Sequence, residues 1–162
     1  MEKNIQPHES SLSLLWKNEA ATQATAQTLA STPEIANALI LLHGDLGAGK
    51  TTFVRYLLQA LDINQHIKSP TYAVVEPYET PAYPIWHFDF YRFNDPMEWE
   101  DAGFRDIFAT PGLKLVEWPE QAGDLLPTAD LEFFINRQND DSRIIRIQAN
   151  TPLGHSIVNV FN

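Results

Sequence analysis

Gly44-Asp45-Leu46-Gly47-Ala48-Gly49-Lys50-Thr51 is the stretch that decides how this chain folds. It matches the pattern G-x-x-x-x-G-K-[S/T] at every fixed position. The pattern works only in one setting, with a buried strand before it and a helix after it. Both are legible here. Ala38 to Leu42 is a continuous apolar run, suited to a strand buried on both faces. Beyond the loop, Phe53, Val54, Leu57, Leu58 and Leu61 recur at helical spacing and give one apolar face to a helix over 49–61. Gly44, Gly47 and Gly49 allow the backbone to turn tightly and to approach an anion closely. Successive backbone N–H groups then line a concave nest, and the free amides and dipole of the helix add positive potential. Lys50 would set an ammonium against the β- and γ-phosphates of a nucleotide, and the Thr51 hydroxyl is placed to ligate Mg²⁺.

Outward from the loop, strands and helices alternate. Ser11 to Trp16 reads as a first strand. Asn18 is the N-cap of an Ala-rich helix over Glu19 to Ala30, which Ser31-Thr32-Pro33 ends. On the C-terminal side, Thr71 to Tyr78 and Tyr83 to Tyr91 read as strands, and Pro96 to Gly103 as a short helix with proline in its first turn. Leu113 to Val116 is a third buried strand ending at Glu117, and Pro119 to Leu126 a helical turn. Asp130 to Ile135, Arg143 to Gln148 and Ser156 to Phe161 read as three successive strands, the first two joined by a turn at Asn139-Asp140-Asp141. The pattern implies an α/β fold: a mostly parallel central sheet with an antiparallel C-terminal extension.

At 162 residues one domain is expected, over 11–162, with residues 1–10 a flexible polar N-terminus. The longest purely apolar run is five residues, against the roughly 20 that a spanning helix needs, so no membrane association is expected. The chain has no cysteine, which rules out disulfides and thiolate chemistry and fits a cytoplasmic protein. With 11 Lys+Arg against 21 Asp+Glu, the net charge of -10 counts against a large basic surface for nucleic acid. A contact with nucleic acid would then run through a partner.

A phosphoryl-transfer site also needs acids near the metal and a group that orients the attacking water. In open α/β sheets these lie at the C-terminal ends of strands beside the phosphate loop. Glu117, after Leu113-Lys114-Leu115-Val116, stands where an acid of that kind belongs. Asp89 stands in Trp86-His87-Phe88-Asp89-Phe90-Tyr91-Arg92, where strand periodicity sends His87, Asp89 and Tyr91 to one face. Ser69-Pro70-Thr71 precedes a strand, as a segment that senses a γ-phosphate would. Trp118 adjoins Glu117.

These segments, taken in order, carry a resemblance. Gly44 to Thr52, Ser69-Pro70-Thr71-Tyr72, His87-Phe88-Asp89-Phe90-Tyr91-Arg92 and Val116-Glu117-Trp118-Pro119 together closely resemble the TsaE (YjeE) family of bacterial P-loop ATPases of tRNA threonylcarbamoyladenosine synthesis. The resemblance spans nearly the whole chain. It implies a P-loop NTPase-like, three-layer α/β fold with helices flanking the central sheet. It implies binding of ATP or ADP with Mg²⁺ and slow hydrolysis of ATP. It also implies work alongside TsaB and TsaD, which transfer threonylcarbamoyl to adenosine-37 of tRNA, with tRNA an indirect partner through that complex. Carried over by residue, Gly47, Ala48, Gly49, Lys50, Thr51 and Thr52 would hold the phosphates, and Thr51 with Glu117 would hold Mg²⁺. Asp89 would be needed for hydrolysis, Thr71 would act as the sensor, and Trp118 would lie near the nucleotide. The helix start at Asn18 and Glu19 would meet the base, and Arg143 would be a further nucleotide contact.

The residues alone also admit a P-loop kinase of a small metabolite. Such kinases usually close an Arg-rich lid over the phosphates, and the 11 basic residues here are scattered instead. A GTPase would carry an Asn-Lys-x-Asp motif, which Asn136-Arg137-Gln138-Asn139 does not supply.

Overall fold

A computed structural model of the chain describes residues 11–70, 74–93, 95 and 103–161. The strands are β1 (Ser11–Trp16), β2 (Leu39–His43), β3 (Val75–Glu79), β4 (Pro84–Asp89), β5 (Leu113–Glu117), β6 (Leu131–Arg137) and β7 (Arg143–Ala149). They form one sheet in the order β1-β7-β6-β2-β5-β4-β3. The four central strands, β6, β2, β5 and β4, are parallel neighbours. Antiparallel pairing flanks them on both sides: β7 on β6 and β1 on β7 at one edge, β3 on β4 at the other. The antiparallel extension expected at the C-terminal edge is therefore present, with the N-terminal strand as its outermost member. The antiparallel β3 at the opposite edge was not expected.

Helices cover both faces, giving three layers. On one face lie α1 (Glu19–Ala30), α2 (Lys50–Ala60) and α4 (Pro152–Val158), where Leu29, Phe53, Leu57 and Ile157 pack on Ile40, Leu42, Leu115 and Phe133. On the other lie α3 (Phe104–Ala109) and the 3-10 segment Pro119–Leu125, where Phe104 and Ala122 close over Leu39, Leu41, Phe88, Phe90 and Val116. The apolar run of β2 is thereby explained: Ile40 and Leu42 serve one core and Leu39 and Leu41 the other. β5 is buried at every position for the same reason, so Glu117 is carried into the interior at its C-terminal end.

One expectation is corrected, and two others fall partly outside the described residues. Ser156 to Phe161, read as a strand, is helical: it falls in α4 and a 3-10 turn over Asn159–Phe161. The Thr151 side chain caps the helix by accepting from the Gly154 amide at 3.0 Å, and Pro152 occupies the first turn. Leu153, Ile157, Val158 and Phe161 then face the core at helical spacing. Gly154 is needed there because a Cβ would stand 2.0 Å from the Asp130 carbonyl oxygen. The helix read over Pro96 to Gly103 falls largely on 96–102, outside the described residues; Gly103 itself is the left-handed residue before α3, which the sequence reading missed. Of the strand read over Thr71 to Tyr78, residues 71–73 lie outside the described residues and 75–78 belong to β3. Residues 1–10 lie outside them as well.

Candidate nucleotide site

The loop between β2 and α2 is shaped by its glycines. Gly47 has φ of 80° and Gly49 of 113°, the left-handed region that side chains disfavour. Gly44 is demanded by packing: a Cβ there would stand 2.9 Å from the Ile135 carbonyl oxygen. Its own carbonyl accepts a hydrogen bond from the Lys50 ammonium. The first hydrogen bond of the helical ladder runs from the Phe53 amide to the Gly49 carbonyl at 3.0 Å. The amides of Lys50, Thr51 and Thr52 precede that bond and point from the positive end of α2.

Around this helix start runs a cleft in two parts. The first, about 280 Å³, is lined by Leu46 through Thr52 together with Asp89, Tyr91, Glu117, Trp118 and Arg143. The second, about 390 Å³, shares Ala48, Gly49, Thr52 and Arg143 with it and extends to Trp16, Lys17, Asn18, Glu19, Thr22 and Asp141. The structure thus gathers the predicted site residues from five separate parts of the chain. Gly44 sits behind the loop and serves its packing. Thr71 lies outside the described residues.

In the first part, β4 and β5 run parallel and pair Asp89 with Glu117 at their C-terminal ends. Asp89 is 5% exposed and Glu117 2%. The Thr51 hydroxyl donates to Glu117 Oε1 at 2.8 Å. Asp89 Oδ1 accepts from the Tyr91 amide at 2.9 Å, which fixes that carboxylate as the chain leaves the strand. Trp118 has φ of 56°, uncommon for a bulky residue and retained where the surroundings hold it. This conformation brings its ring within 3.5 Å of the Lys50 ammonium, with Tyr91 on the ring at 4.9 Å between centroids. Burial lowers the pKa of Lys50, and Glu117, Glu120, Asp89 and Asp45 oppose that shift. A desolvated ammonium at the mouth of an amide-lined loop is a group that a polyanion would stabilise.

In the second part the polar lining side chains Lys17, Asn18, Glu19 and Asp141 are exposed. Asn18 caps α1 by accepting from the Ala21 amide at 3.0 Å, and Glu19 accepts from the Tyr56 hydroxyl at 2.9 Å. Arg143 donates from Nε to the Ala48 carbonyl at 3.0 Å, tying β7 to the loop.

Nucleotide and metal both suit these residues. Glu117 and Thr51 supply hard oxygen donors. Among the described residues no group of three or more His, Asp or Glu side chains could cage an ion alone. Mg²⁺ does not need one: it is usually held by one or two carboxylates together with substrate phosphates.

Two features escaped the sequence reading. His87, noted only for its face, contacts Glu117 Oε2 through Nε2 at 2.6 Å. Val74 has φ of 69°, its amide bonds the Pro70 carbonyl, and its carbonyl accepts from the Asp89 amide at 2.8 Å. The segment carrying Ser69-Pro70 is thereby joined to the backbone of Asp89. The alternation of polar and aromatic residues in His87-Phe88-Asp89-Phe90 was a signal for the first; none existed for the second. No helix among the described residues is long and apolar enough to cross a membrane.

Known proteins resemble the chain along most of its length. The family model "Threonylcarbamoyl adenosine biosynthesis protein TsaE" matches residues 16–145. The chain is 44% identical over 124 residues to the tRNA threonylcarbamoyladenosine biosynthesis protein TsaE of Haemophilus influenzae, covering 76% of this chain and 78% of that one. It is 37% identical over 138 residues to the protein of the same name from Bacillus subtilis, covering 84% and 85%. The crystal structure of Bacillus subtilis YdiB superposes with a TM-score of 0.75 at 29% identity, covering 94% of this chain and 97% of that one. The chain belongs to the TsaE family.

Proposed function

We propose that this chain binds ATP or ADP with Mg²⁺ in the cleft around α2 and hydrolyses ATP slowly. In this reading it supports the TsaB–TsaD complex in threonylcarbamoylation of adenosine-37 in tRNA. The observation that carries the reading is the convergence of Lys50, Thr51, Asp89 and Glu117 on one small cleft beside an amide-lined loop. The family membership supplies the pathway. The tRNA-modifying role assigns the protein to the cytoplasm.

The roles follow from the chemistry of each group. The amides of Gly47 through Thr52 receive the phosphate oxygens, and the Lys50 ammonium moves from the Gly44 carbonyl to the β- and γ-phosphates. Thr51 and Glu117 would hold Mg²⁺, which would supply neutralisation of charge on the phosphate oxygens. Asp89, held by the Tyr91 amide, orients the attacking water or the metal's water ligands. Trp118 shields Lys50 and flanks the nucleotide. Thr71, which follows Ser69-Pro70 in the sequence, would sense the γ-phosphate. Asn18, Glu19 and Arg143 border the cavity that would receive base and sugar. Because catalysis here is positioning and electrostatics, a single chain with only part of the constellation closed hydrolyses slowly. The chain carries 11 Lys+Arg against 21 Asp+Glu, which favours reaching tRNA through TsaB and TsaD.

ATP hydrolysis measured alone, then with TsaB–TsaD, then with tRNA added, tests this. Slow turnover alone and a rise with TsaB–TsaD are expected. Hydrolysis indifferent to TsaB–TsaD, or phosphoryl transfer to a nucleoside acceptor, would overturn it.

A further inference from the structure

Glu117 has two oxygens, and each receives a different donor. Oε1 accepts from the Thr51 hydroxyl at 2.8 Å, on the side of the cleft. Oε2 meets His87 Nε2 at 2.6 Å, on the side of the sheet. His87 is 1% exposed and does not line the cleft. It stands two residues before Asp89 on β4, level with Leu115 of β5, so its ring reaches forward along the strand pair to the carboxylate. Its Nδ1 is buried and has no hydrogen-bond partner among the described residues.

That orphan atom is informative. A histidine kept only to satisfy the core would ordinarily have both ring nitrogens occupied. Among the described residues this one has a single partner, and the partner is the acid at the cleft. With its proton on Nε2, the ring donates to Oε2 and leaves only an acceptor lone pair unmatched. Glu117 then has a donor on each oxygen, as a carboxylate removed from water requires.

We infer that His87 is a positioning residue: it pins Oε2 of Glu117 so that Oε1 alone is presented beside Thr51, where a divalent cation is held. The inference rests on the proposed Mg²⁺–nucleotide site. His87 touches neither nucleotide nor metal; it acts through Glu117. Without it, the carboxylate can rotate, or turn both oxygens toward the loop and pair with Lys50. Partners that orient a metal-ligating group typically matter by about 10- to 100-fold in metal affinity or activity.

The test compares His87→Leu, which removes the donor, with His87→Gln, whose terminal amide restores a donor at similar reach. Binding of a fluorescent ADP analogue is titrated without metal and again across a Mg²⁺ series, alongside thermal melting. The expected result is that His87→Leu binds the analogue without metal within about twofold of wild type, while its half-saturating Mg²⁺ rises at least about tenfold. His87→Gln should recover most of that rise. Should His87→Leu not melt cooperatively, His87→Asn takes its place, since its amide stops short of the Nε2 position and should show the same Mg²⁺ defect. Equal Mg²⁺ requirements in wild type and the Leu or Asn variant would overturn the inference. So would an equal defect in the Gln variant, or weakened binding already present without metal. A wild-type protein whose analogue binding ignores Mg²⁺ would overturn the site reading itself and the inference with it.

Discussion

At one end of the cleft, Lys50, Asp89 and Glu117 are each no more than 5% exposed and are interlocked with Thr51, His87, Tyr91 and Trp118. At the other end, Glu19 is exposed and held by the Tyr56 hydroxyl, and Arg143 is half-buried against the loop carbonyl of Ala48. The two ends ask different things of a ligand. Buried, desolvated charge interacts strongly and tolerates little displacement, so under the proposed function the first end would take phosphate and metal. The second end has exposed polar side chains held by few bonds, so under the proposed function it would tune affinity and base preference at small cost to the fold.

Variants should widen or erase this contrast. The largest effect is expected at Lys50. Lys50→Met should weaken nucleotide binding by about 100-fold or more in calorimetry, since it removes charge-assisted bonds to phosphate. The same change should raise, or leave unchanged, the melting temperature of the nucleotide-free protein. Burial sets the pKa of Lys50 below its unfolded value, so holding the ammonium is a cost to the empty fold. The sign fixes the pH trend. Between the lowered pKa and the ordinary lysine value of about 10.4, the unfolded chain binds the extra proton, so this group's contribution to stability increases with pH across that window. Wild type minus Lys50→Met melting temperature, followed upward from neutral pH, should therefore become less negative. A clear fall in the melting temperature of the empty variant would contradict the account.

Glu117→Gln and Asp89→Asn come next. Each should lower ATP turnover by about 100-fold while nucleotide affinity without metal stays within a few-fold, the split expected of groups that act on metal and water. Turnover unchanged in both variants would place the chemistry elsewhere. At the second end, Glu19→Ala should shift ATP affinity by only about fivefold and narrow the preference for ATP over GTP, measured by competition. A loss as large as that of Lys50→Met would remove the distinction between the two ends. The smallest effect belongs to Asn18→Ala, which loses the α1 cap and should cost about 1 kcal/mol in stability with little change in affinity.

The same contrast governs what was legible in the sequence. The loop motif, the strand before it and the helix after it were readable because the loop pattern restricts residue type at fixed spacing. Glu117 and Asp89 were readable because an acid ending an apolar strand has few other reasons to be there. The second end was reached through family resemblance, since Asn18 and Glu19 look like any helix start. The C-terminal segment was misread because Ile157, Val158, Val160 and Phe161 favour strand locally. The Thr151 cap and Pro152 decide for helix, and both are weak signals beside a run of β-branched residues. The pairing of β1 with β7 joins the two ends of the chain and has no local signature at all. His87 was visible as a polar residue in an aromatic strand, but its partner became apparent only once β4 and β5 were placed side by side.

The most direct measurement is the affinity of the wild-type chain for ADP, AMP and adenosine, each with Mg²⁺, by calorimetry. The account predicts that most of the binding is lost on removing the β-phosphate, with adenosine at least about 100-fold weaker than ADP. Adenosine binding as tightly as ADP would contradict it.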